Sequence, residues 1–591
     1  MTEDRCWSAW LSAAAALVLG ACSLLPPPLP DYPAQKQTIW LDQGWTPDER
    51  YLYHRTDQGT LTFDVPYEWF AELEQPAVSL GEAPPLSDKA YLDRFGFIPG
   101  DRPLPVGFAR TAEYRDPASG KTWDNPATGK PFSGLGMTCA ACHTGRMTFK
   151  GTEILIDGGS ALTNLGDFRT VLGQSIAFTD IDPLRFNRFA ARVLGSGASD
   201  QAKDALRAQL KQALNLGQRE LALINATKAT SVEEGFGRLD AIDRIGNQVF
   251  SIDMNVDANY APLTAPVHFP HIWTAPWFTW VQYNGSIMQP MVRNAGEAMG
   301  VRALVNLTNP ARPMFDSTVQ VRNLHWIEQT LAGSPPFPAR AFSGLRSPSW
   351  PAELPPIDRT RAAKGAVLYK ELCQGCHLPA PDTAEFWTGK WWTQIGGKGE
   401  RYLNLHQIPL ADIGTDPAMA RNMATRTITL PANVPLKSTM FGPALGELVA
   451  RVTSRWYDNQ IPPVPAAERE RLDGNRPNDL QVPLEYKARP LNGVWAAPPY
   501  LHNGSAPSLY ALLSPVAERP AVVYLGDREF DPNDVGYENV AIKGSFALDT
   551  SKPGNHNTGH EFRDGPRSGG VIGRGLSPDE RHALIEYLKT F

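Results

Sequence analysis

The segments Cys139-Ala-Ala-Cys142-His143 and Cys373-Gln-Gly-Cys376-His377 decide how this chain folds. Both have the pattern C-x-x-C-H, which is typical of covalent c-type haem attachment. In that chemistry two thiols bond to the vinyl groups of one haem, and the adjacent imidazole reaches the iron as its proximal ligand. The sequence therefore predicts two covalently bound c-type haems, one on each motif.

A thioredoxin-like redox pair or half of a zinc site would also contain C-x-x-C, but neither needs a histidine directly after the second cysteine. The chain has six cysteines, and Cys6 and Cys22 lie near the N-terminus, outside the two motifs. Both belong to a predicted export signal. No cysteine therefore remains to complete a zinc site.

Covalent haem attachment of this kind takes place outside the cytosol, so an export signal is expected. Residues 1–22 contain a short apolar stretch, too short to span a bilayer, and end in Leu19-Gly20-Ala21-Cys22, which resembles a bacterial lipobox. We expect Cys22 to become the lipidated first residue of the mature protein, with an ordinary signal peptide as the alternative. Ser23 favours the outer membrane, so the expected location is periplasmic, with membrane association only through the lipid.

Length and composition narrow the class of protein. A chain of 591 residues is too long for one core, and 42% hydrophobic with 20% charged residues is ordinary for a folded chain. Fifty glycines and 53 prolines predict long loops. The net charge of −6 is mild for this size and gives no reason to expect nucleic acid as a partner.

Proline-rich segments indicate where the chain divides. After the signal peptide, Pro26-Pro27-Pro28 marks an extended tether, and the segment from Ser347 to Ile357 is a second proline-rich stretch. The predicted units are the tether 23–36, an N-terminal haem domain with an N-terminal elaboration 37–346, a linker 347–357 and a C-terminal cytochrome c domain 358–591.

Helical periodicity is present in residues 47–53, 200–225 and 361–372. A capping box with proline at the first helical position, Ser577-Pro-Asp-Glu580, predicts a terminal helix. In cytochrome c domains such a helix packs on the helix that leads into the haem motif. The expected fold is mainly α with long loops, in two cytochrome c-like haem domains with large insertions.

Three further segments resemble the bacterial di-haem cytochrome c peroxidase superfamily. Residues 490–504, PLNGVWAAPPYLHNG, are similar to its signature "LRN…T.PYFHDG", and residues 283–300 are similar to its stretch "WDGR…Q…P…EMG". Ile413-Gly-Thr-Asp-Pro417 is similar to a turn near its second haem. The ending Gly559-His560-Glu561-Phe562 resembles the rubber-oxygenase-like branch of this superfamily.

The resemblance implies axial ligands for each iron. Residues 441–591 contain no methionine, so the methionine ligand of the short peroxidases is absent. His560 is therefore expected opposite His377 at the second haem, with His556 as the alternative. No histidine follows His143 until His268, which implies an open or water-bound first iron. Residues that would overturn this expectation are His268, His271 and Met137.

The resemblance also implies catalytic roles. Glu297 matches the position of the group that moves the proton of peroxide, Gln289 matches a second polar residue of that pocket, and Tyr283 stands where the family has a tryptophan between the haems. The structural alternatives are an ion pair of Glu297 with Arg293 and a core position for Tyr283. Trp277 and Trp280 are the other candidates for a relay.

Three functions remain open at this stage. The first is a peroxidase that reduces peroxide at the first haem with electrons from a small periplasmic donor through the second. The alternative is an oxygenase that uses dioxygen to cleave an apolar substrate, which would favour Phe or Leu at position 297. The third is an electron carrier with both irons six-coordinate. Some relatives also hold Ca²⁺ between the domains, and the resemblance leaves this open here.

Overall fold

The computed structural model describes residues 25–76, 81–100 and 103–591. The predicted signal peptide, with Cys6 and the predicted lipidation site Cys22, lies outside these residues. Within the described ranges, no helix combines the length and the apolar character that crossing a membrane requires.

The fold is mixed α/β, with 36% helix and 14% strand, so the prediction of a mainly α fold was wrong. The strands form one three-stranded sheet and seven two-stranded ribbons in the described part of the chain. The physical reason is that short segments with strand-like alternation lie between glycine and proline turns, where each can pair with one neighbour but cannot extend into a large sheet.

Eighteen α-helices lie in the described ranges. They are α1 Pro47–Arg55, α2 Tyr67–Glu72, α3 Lys89–Asp93, α4 Cys139–Cys142, α5 Leu165–Ile181, α6 Pro183–Leu194, α7 Asp200–Thr227, α8 Ala241–Gly246, α9 Pro290–Gly300, α10 Val321–Ala332, α11 Arg359–Leu372, α12 Gln374–His377, α13 Leu410–Ile413, α14 Ala418–Thr425, α15 Phe441–Asn459, α16 Ala466–Leu472, α17 Leu509–Leu513 and α18 Pro578–Leu588. The helices predicted at 47–53, 200–225 and 361–372 are confirmed as α1, α7 and α11.

Seventeen strands lie in the same ranges. They are β1 Gln37–Trp40, β2 Phe108–Thr111, β3 Gly134–Met137, β4 Thr144–Phe149, β5 Thr152–Asp157, β6 Arg238–Leu239, β7 Val267–His268, β8 Trp392–Gln394, β9 Arg401–Leu403, β10 His406–Pro409, β11 Glu485–Ala488, β12 Val522–Leu525, β13 Phe530–Asp531, β14 Gly536–Tyr537, β15 Phe546–Asp549, β16 Glu561–Phe562 and β17 Val571–Gly573.

The three-stranded sheet holds the first C-x-x-C-H motif. Its order is β1-β5-β4, with β1 parallel and β4 antiparallel to the central strand β5. Strand β4 begins directly after His143. Lys150 and Gly151, both with positive φ (51° and 86°), form the two-residue connection to β5, as a tight hairpin turn requires. The sheet therefore fixes the backbone on one side of the motif.

The second motif is held by a pair of helices, as the sequence predicts. Helix α11 leads into Cys373 and packs against the terminal helix α18. The predicted capping box is confirmed: Ser577 accepts a hydrogen bond from the backbone N–H of Glu580, whose carboxylate accepts one from the N–H of Ser577. The helices cross at Gly365, where a Cβ atom would lie 2.0 Å from the carbonyl oxygen of Ala583.

The apolar cores do not follow the predicted domain boundaries. One core lies within residues 29–304. A second combines α9 with α14 and α15, and a third combines Trp273 with Trp495 and Leu584. Side chains from both predicted haem domains therefore share two cores, which brings the two motifs together.

Part of the predicted tether packs on the body. Leu29 is 3% exposed, and Arg94 donates hydrogen bonds to the carbonyl oxygens of Leu29 and Pro30. The hydroxyl of Tyr32 donates to the carbonyl oxygen of Gly526 at 2.6 Å. From Leu29 onward this segment is thus fixed to the folded protein.

We expect Gly365→Ala to destabilise the α11–α18 pair, because the new methyl group would overlap backbone atoms of Ala583. Overpacking of this kind costs about 1–3 kcal/mol. Gly217→Ala in α7 is the matched control: a Cβ there meets nothing within 4 Å, so this change should stabilise by about 0.5–1 kcal/mol. Urea unfolding midpoints of both variants test this, and equal midpoints would contradict the close crossing.

Candidate functional site

Both C-x-x-C-H motifs line one cavity of about 540 Å³. Of the other residues that the sequence nominated, Glu297, Tyr283 and His560 line this cavity, whereas Gln289 does not. The two predicted haem sites therefore adjoin one another in a single cavity.

The first histidine is held by a carbonyl oxygen from a distant part of the chain. The His143 Nδ1 lies 2.8 Å from the carbonyl oxygen of Pro270. Because a carbonyl only accepts, Nδ1 carries the proton, and Nε2 is left as the metal-binding nitrogen. Burial lowers the pKa of His143 to about 4, so the imidazole is neutral and able to bind iron at neutral pH.

The second histidine has the same arrangement. Helix α11 ends at Leu372, and the His377 Nδ1 lies 2.8 Å from the carbonyl oxygen of Arg489. Leu378 has φ 66° and turns the chain away directly after the motif, and its carbonyl oxygen accepts a hydrogen bond from the buried Tyr369 hydroxyl at 2.8 Å. Burial lowers the pKa of His377 as well.

His560 faces His377 at the distance that one iron between them requires. The two ring centres are 6.1 Å apart. Two imidazoles that bind one metal from opposite sides, with metal–nitrogen bonds of about 2.0–2.1 Å, have ring centres about 6.3 Å apart. The Nδ1 of His560 is also buried with no hydrogen-bond partner among the described residues. These features fit a haem iron held by His377 and His560.

The loop that carries His560 is strained and held tightly. His560 has φ 43°, unusual for a residue with a side chain. A Cβ atom at Gly559 would lie 2.2 Å from the backbone of Gly414, so the two loops touch through their backbones. The buried Arg519 donates to the carbonyl oxygens of Gly559 (2.9 Å) and His560 (3.0 Å). His556, the alternative ligand, instead lies with its Nδ1 3.0 Å from Asp416 and does not line the cavity.

Buried side-chain nitrogens without hydrogen-bond partners in the described part of the chain line the same cavity as the two motifs. Arg489 has its Nε and Nη2, His268 its Nδ1 and His271 its Nε2 buried with no hydrogen-bond partner in the described part of the chain. All three residues line the cavity. Unpaired buried donors are costly, and haem carries two propionate carboxylates that would satisfy them. The donor set therefore fits a haem group with its acidic edge near Arg489.

Two histidines that could also bind the first iron, His268 and His271, line the cavity. They flank Pro270 in the chain, whose carbonyl oxygen accepts from the His143 Nδ1. Met137 lies in the core formed around β3 and does not line the cavity.

Glu297 projects from α9 into the cavity. Its side chain is exposed and forms part of the cavity wall. Its Oε1 accepts a hydrogen bond from the Gln282 Nε2 at 3.0 Å. Arg293 forms its ion pair with Glu328 on α10 instead. Burial raises the pKa of Glu297. Burial, together with the charge of Glu297, also raises the pKa of both thiols of the first motif, which line the same cavity, to about 12.

The structure places the other nominated residues as follows. Gln289 precedes α9, and its amide donates to the carbonyl oxygen of Arg476 at 3.1 Å, away from Glu297. Tyr283 lines the cavity, and its hydroxyl donates to the carbonyl oxygen of His268 at 3.1 Å. Trp277 packs in a separate core and does not line the cavity, and neither does Trp280.

Four residues of the site were missed by sequence reasoning: Gln282, Lys487, Arg489 and Arg519. The Lys487 ammonium donates to the carbonyl oxygen of Gln282, and burial lowers the pKa of Lys487 well below its usual value. Arg489 directly precedes the signature that begins at Pro490, and its place there was the available signal. Gln282 has a positive φ (67°), which no residue pattern in the sequence predicts. For Ca²⁺, the described residues contain no group of three or more His, Cys, Asp or Glu side chains arranged to hold a metal ion.

We expect His560→Ala to change the second haem from low-spin to high-spin, because the ligand opposite His377 would be lost. EPR and absorption spectra of the ferric, haem-loaded protein measure this. The matched control is His556→Ala, four residues away and paired with Asp416, which should keep the low-spin signal. The opposite result for the two variants would assign the ligand to His556.

Comparisons with known proteins agree with a haem protein. Residues 485–524 match the family described as "RoxA-like, cytochrome c-like". The chain is 54% identical over 564 residues to the uncharacterized protein y4iJ of Sinorhizobium fredii, which covers 95% of this chain and 94% of y4iJ. A second protein of that organism, y4iM, is 26% identical over 346 residues, 56% of this chain and 65% of y4iM. The chain therefore belongs to the family of y4iJ and contains, at residues 485–524, a segment that links it to the RoxA-like cytochromes c.

Proposed function

We propose that this protein is a di-haem c-type oxidoreductase of the di-haem cytochrome c peroxidase superfamily, and that it reduces peroxide next to His143. The observation that carries the proposal is the position of Glu297. Its carboxylate faces the cavity near the first motif, without an ion-pair partner of its own in the described structure. A charged distal group of this kind favours peroxide chemistry over binding of an apolar substrate.

Two sets of residues would hold the haems. Cys139, Cys142 and His143 would bind the first, and Cys373, Cys376 and His377 the second. When bound, the first haem would supply an iron with an open position and the electrons for breaking the O–O bond. His560 faces His377 at a ring-centre distance of 6.1 Å and would hold the second haem together with it, so that site would serve electron transfer rather than substrate binding.

Glu297 would move the proton. Reduction of one peroxide takes two electrons and two protons and gives two waters. Glu297 takes the proton from one peroxide oxygen and delivers it to the other, which leaves as water. Gln282 holds one carboxylate oxygen in place at 3.0 Å, and the other oxygen is left for the proton.

Tyr283 is less suited to relay electrons than the sequence resemblance implies. Its hydroxyl donates to the backbone carbonyl of His268. Oxidation of tyrosine releases the phenolic proton, and a carbonyl cannot accept it as a base. We therefore assign Tyr283 to shaping the cavity wall, where its ring faces those of His268 and His502 at 6.1 and 6.0 Å.

We expect Glu297→Gln to lower peroxide turnover by about 10²–10⁴-fold, the usual contribution of a general acid–base group. The amide is similar in size but cannot exchange the proton. Turnover is measured with a reduced small cytochrome as electron donor, and haem content and ferric spectra should remain those of the wild type. Gln289→Ala, at the start of the same helix but outside the cavity, is the control and should keep turnover.

The pH profile provides a second readout of the same variant. Burial raises the pKa of Glu297, opposed by Arg293 and the Gln282 hydrogen bond and assisted by Glu328. Glu297 must be ionised to accept the proton, so turnover should be full above this raised pKa and fall as the pH drops through it. In Glu297→Gln this acid limb should disappear; if it persists, another group is the base.

An oxygenase is the second candidate. The cavity extends from Glu297 to the apolar side chains of Ile245, Met419, Met423, Leu445 and Val449, which would suit an apolar substrate. Oxygen uptake stimulated by a dispersed polyisoprene, and unaffected by Glu297→Gln, would replace the peroxidase proposal with this one.

For the location we propose a lipid-anchored periplasmic protein that receives electrons from a small soluble donor in that compartment. That donor would reach the second site from solvent, since Cys376 is exposed.

 We expect Cys22→Ser to abolish incorporation of labelled palmitate and to release the protein from the membrane fraction, because the anchor would be lost. Cys6→Ser, in the segment that is removed, is the control and should leave labelling intact. Labelling that survives Cys22→Ser would exclude the lipid anchor at this position.

A further inference from the structure

The first residues that the structure describes lie against helix α5. The Nε2 of Gln174, near the middle of this helix, donates to the carbonyl oxygen of Leu25 at 3.2 Å. Four residues later Leu29 is buried, and Arg94 donates to its carbonyl oxygen at 3.0 Å. This end of the described chain is therefore held on the body of the protein rather than extended away from it.

The attachment limits how far a lipid on Cys22 can lie from the protein surface. Cys22 precedes Leu25 by three residues, and three residues span at most about 11 Å even when they are fully extended. A lipid on Cys22 would therefore bring the face of α5 that carries Gln174 close to the bilayer. Three residues are too few to hold the body away from the membrane.

The same face of α5 ends in exposed apolar side chains. Gln174, Phe178 and Ile181 are spaced i, i+4 and i+7, which places them on one stripe of the helix. Seven residues at a rise of 1.5 Å separate Gln174 from Ile181 by about 10 Å. Ile181, the last residue of α5, is 70% exposed, and Leu184, in the first turn of α6, is 64% exposed. Leu25 itself is 63% exposed. Apolar surface therefore lies close to the point where the lipid would be attached.

The charged side chains at this end of α5 have partners within the protein. Arg207 on α7 lies 3.8 Å from Asp180. Asp182, between the two apolar residues, accepts a hydrogen bond from the backbone N–H of Leu184 at 2.9 Å. A carboxylate at this position would keep any membrane contact at the depth of the lipid headgroups. The surface therefore suits the interface of a bilayer, where apolar side chains enter and polar groups remain hydrated.

We propose that Ile181 and Leu184, here called the α5–α6 tip, form a second membrane contact that enters the lipid interface beside the anchor and fixes the orientation of the protein. Exposed apolar residues are common on protein surfaces and need no partner, but at this tip the short connection to Cys22 supplies one. The inference rests on the proposed lipid anchor. It goes beyond that anchor, because a lipid alone leaves the body free to rotate against the membrane.

The first test measures the depth of the tip in the full-length, haem-loaded and lipidated protein. The membrane is a vesicle of phosphatidylethanolamine with a minority of phosphatidylglycerol. A nitroxide spin label is attached at Leu184→Cys, or at Val367→Cys on α11 as the control, a position that is 68% exposed. The new thiol alone reacts with the label, because the other cysteines would be bound to haem, lipidated or removed with the signal peptide.

EPR relaxation by oxygen and by a water-soluble nickel complex reports the depth of each label. We expect oxygen to be the stronger relaxing agent at position 184 and the nickel complex at position 367. Equal access of the nickel complex to both positions would reject the contact. A label at position 184 that is shielded in isolated outer membranes but not in lipid vesicles would assign the surface to a protein partner and would also overturn the proposal.

The second test measures the apolar contact without the anchor. In the Cys22→Ser protein, the further changes Ile181→Ser and Leu184→Ser should lower binding to the same vesicles by about tenfold or more, since full burial of one such side chain is worth that factor. The matched control, with Val367→Ser and Ile461→Ser, changes two exposed apolar residues on other elements and should bind like its parent. A parent protein that does not bind, or binding that added salt abolishes, would overturn the apolar contact.

Incorporation of labelled palmitate separates failure of this inference from failure of the anchor. Palmitate on Cys22 together with a water-exposed label at position 184 would reject only the second contact. Absence of palmitate from Cys22 would reject the anchor and, with it, the geometry that brings the α5–α6 tip to the membrane.

Discussion

The hydrogen bond from an imidazole Nδ1 to a backbone carbonyl is the interaction on which the rest of the site depends. It occurs at both motifs, at 2.8 Å, and its partners are 127 and 112 residues away in the sequence. A buried imidazole with an unmet donor is costly, so the segments that provide these carbonyls must be brought to the motifs. The short strand pairs do this: β6 with β7 places Pro270, and β10 with β11 places Arg489.

The same proximal arrangement serves two different distal environments. At the second site, backbone contact between two glycine-containing loops and the hydrogen bonds from Arg519 hold His560 across from His377. At the first, the cavity wall carries Glu297 on helix α9. His560, with its positive φ, lies on a loop that is fixed by these contacts. Glu297 lies on a regular helix and has no ion-pair partner in the described structure. This difference is the reason why we propose electron transfer at the second site and peroxide reduction at the first.

Local sequence signals predicted the local parts of this structure well. The capping box at Ser577 and the helices before and after the haem motifs depend on contacts within a few residues, and they are present. The β4–β5 hairpin, two six-residue segments that pair antiparallel across Lys150-Gly151, was missed because the haem motif directed the expectation to helices. The mainly α fold was wrong for this reason. The tertiary cores were beyond prediction, since they combine side chains from both halves of the chain.

The prediction of site residues from the sequence was limited in the same way, because it could not include tertiary contacts. Spacing along the chain selected Gln289 as the polar neighbour of Glu297, but Gln289 turns toward Arg476. Gln282, which makes the contact, comes from a preceding loop with a left-handed backbone. Arg489 and Arg519 donate hydrogen bonds to backbone carbonyl oxygens. No residue pattern in a sequence predicts which carbonyl oxygen an arginine will bind. Their roles follow only from the folded chain.

The arrangement of the charges around α9 explains why Glu297 is fit to exchange protons. Had Arg293 paired with Glu297, one helical turn away, the ion pair would have kept the carboxylate ionised and lowered its pKa. Instead Glu328 on α10 accepts from both Arg293 and Asn294, the latter at 3.1 Å. Glu297 is left with an uncharged amide donor and the penalty of burial, which raises its pKa. A base works best when its pKa is near the working pH. Because the arginine pairs with a neighbouring carboxylate, Glu297 is left free for the proton transfer that we propose.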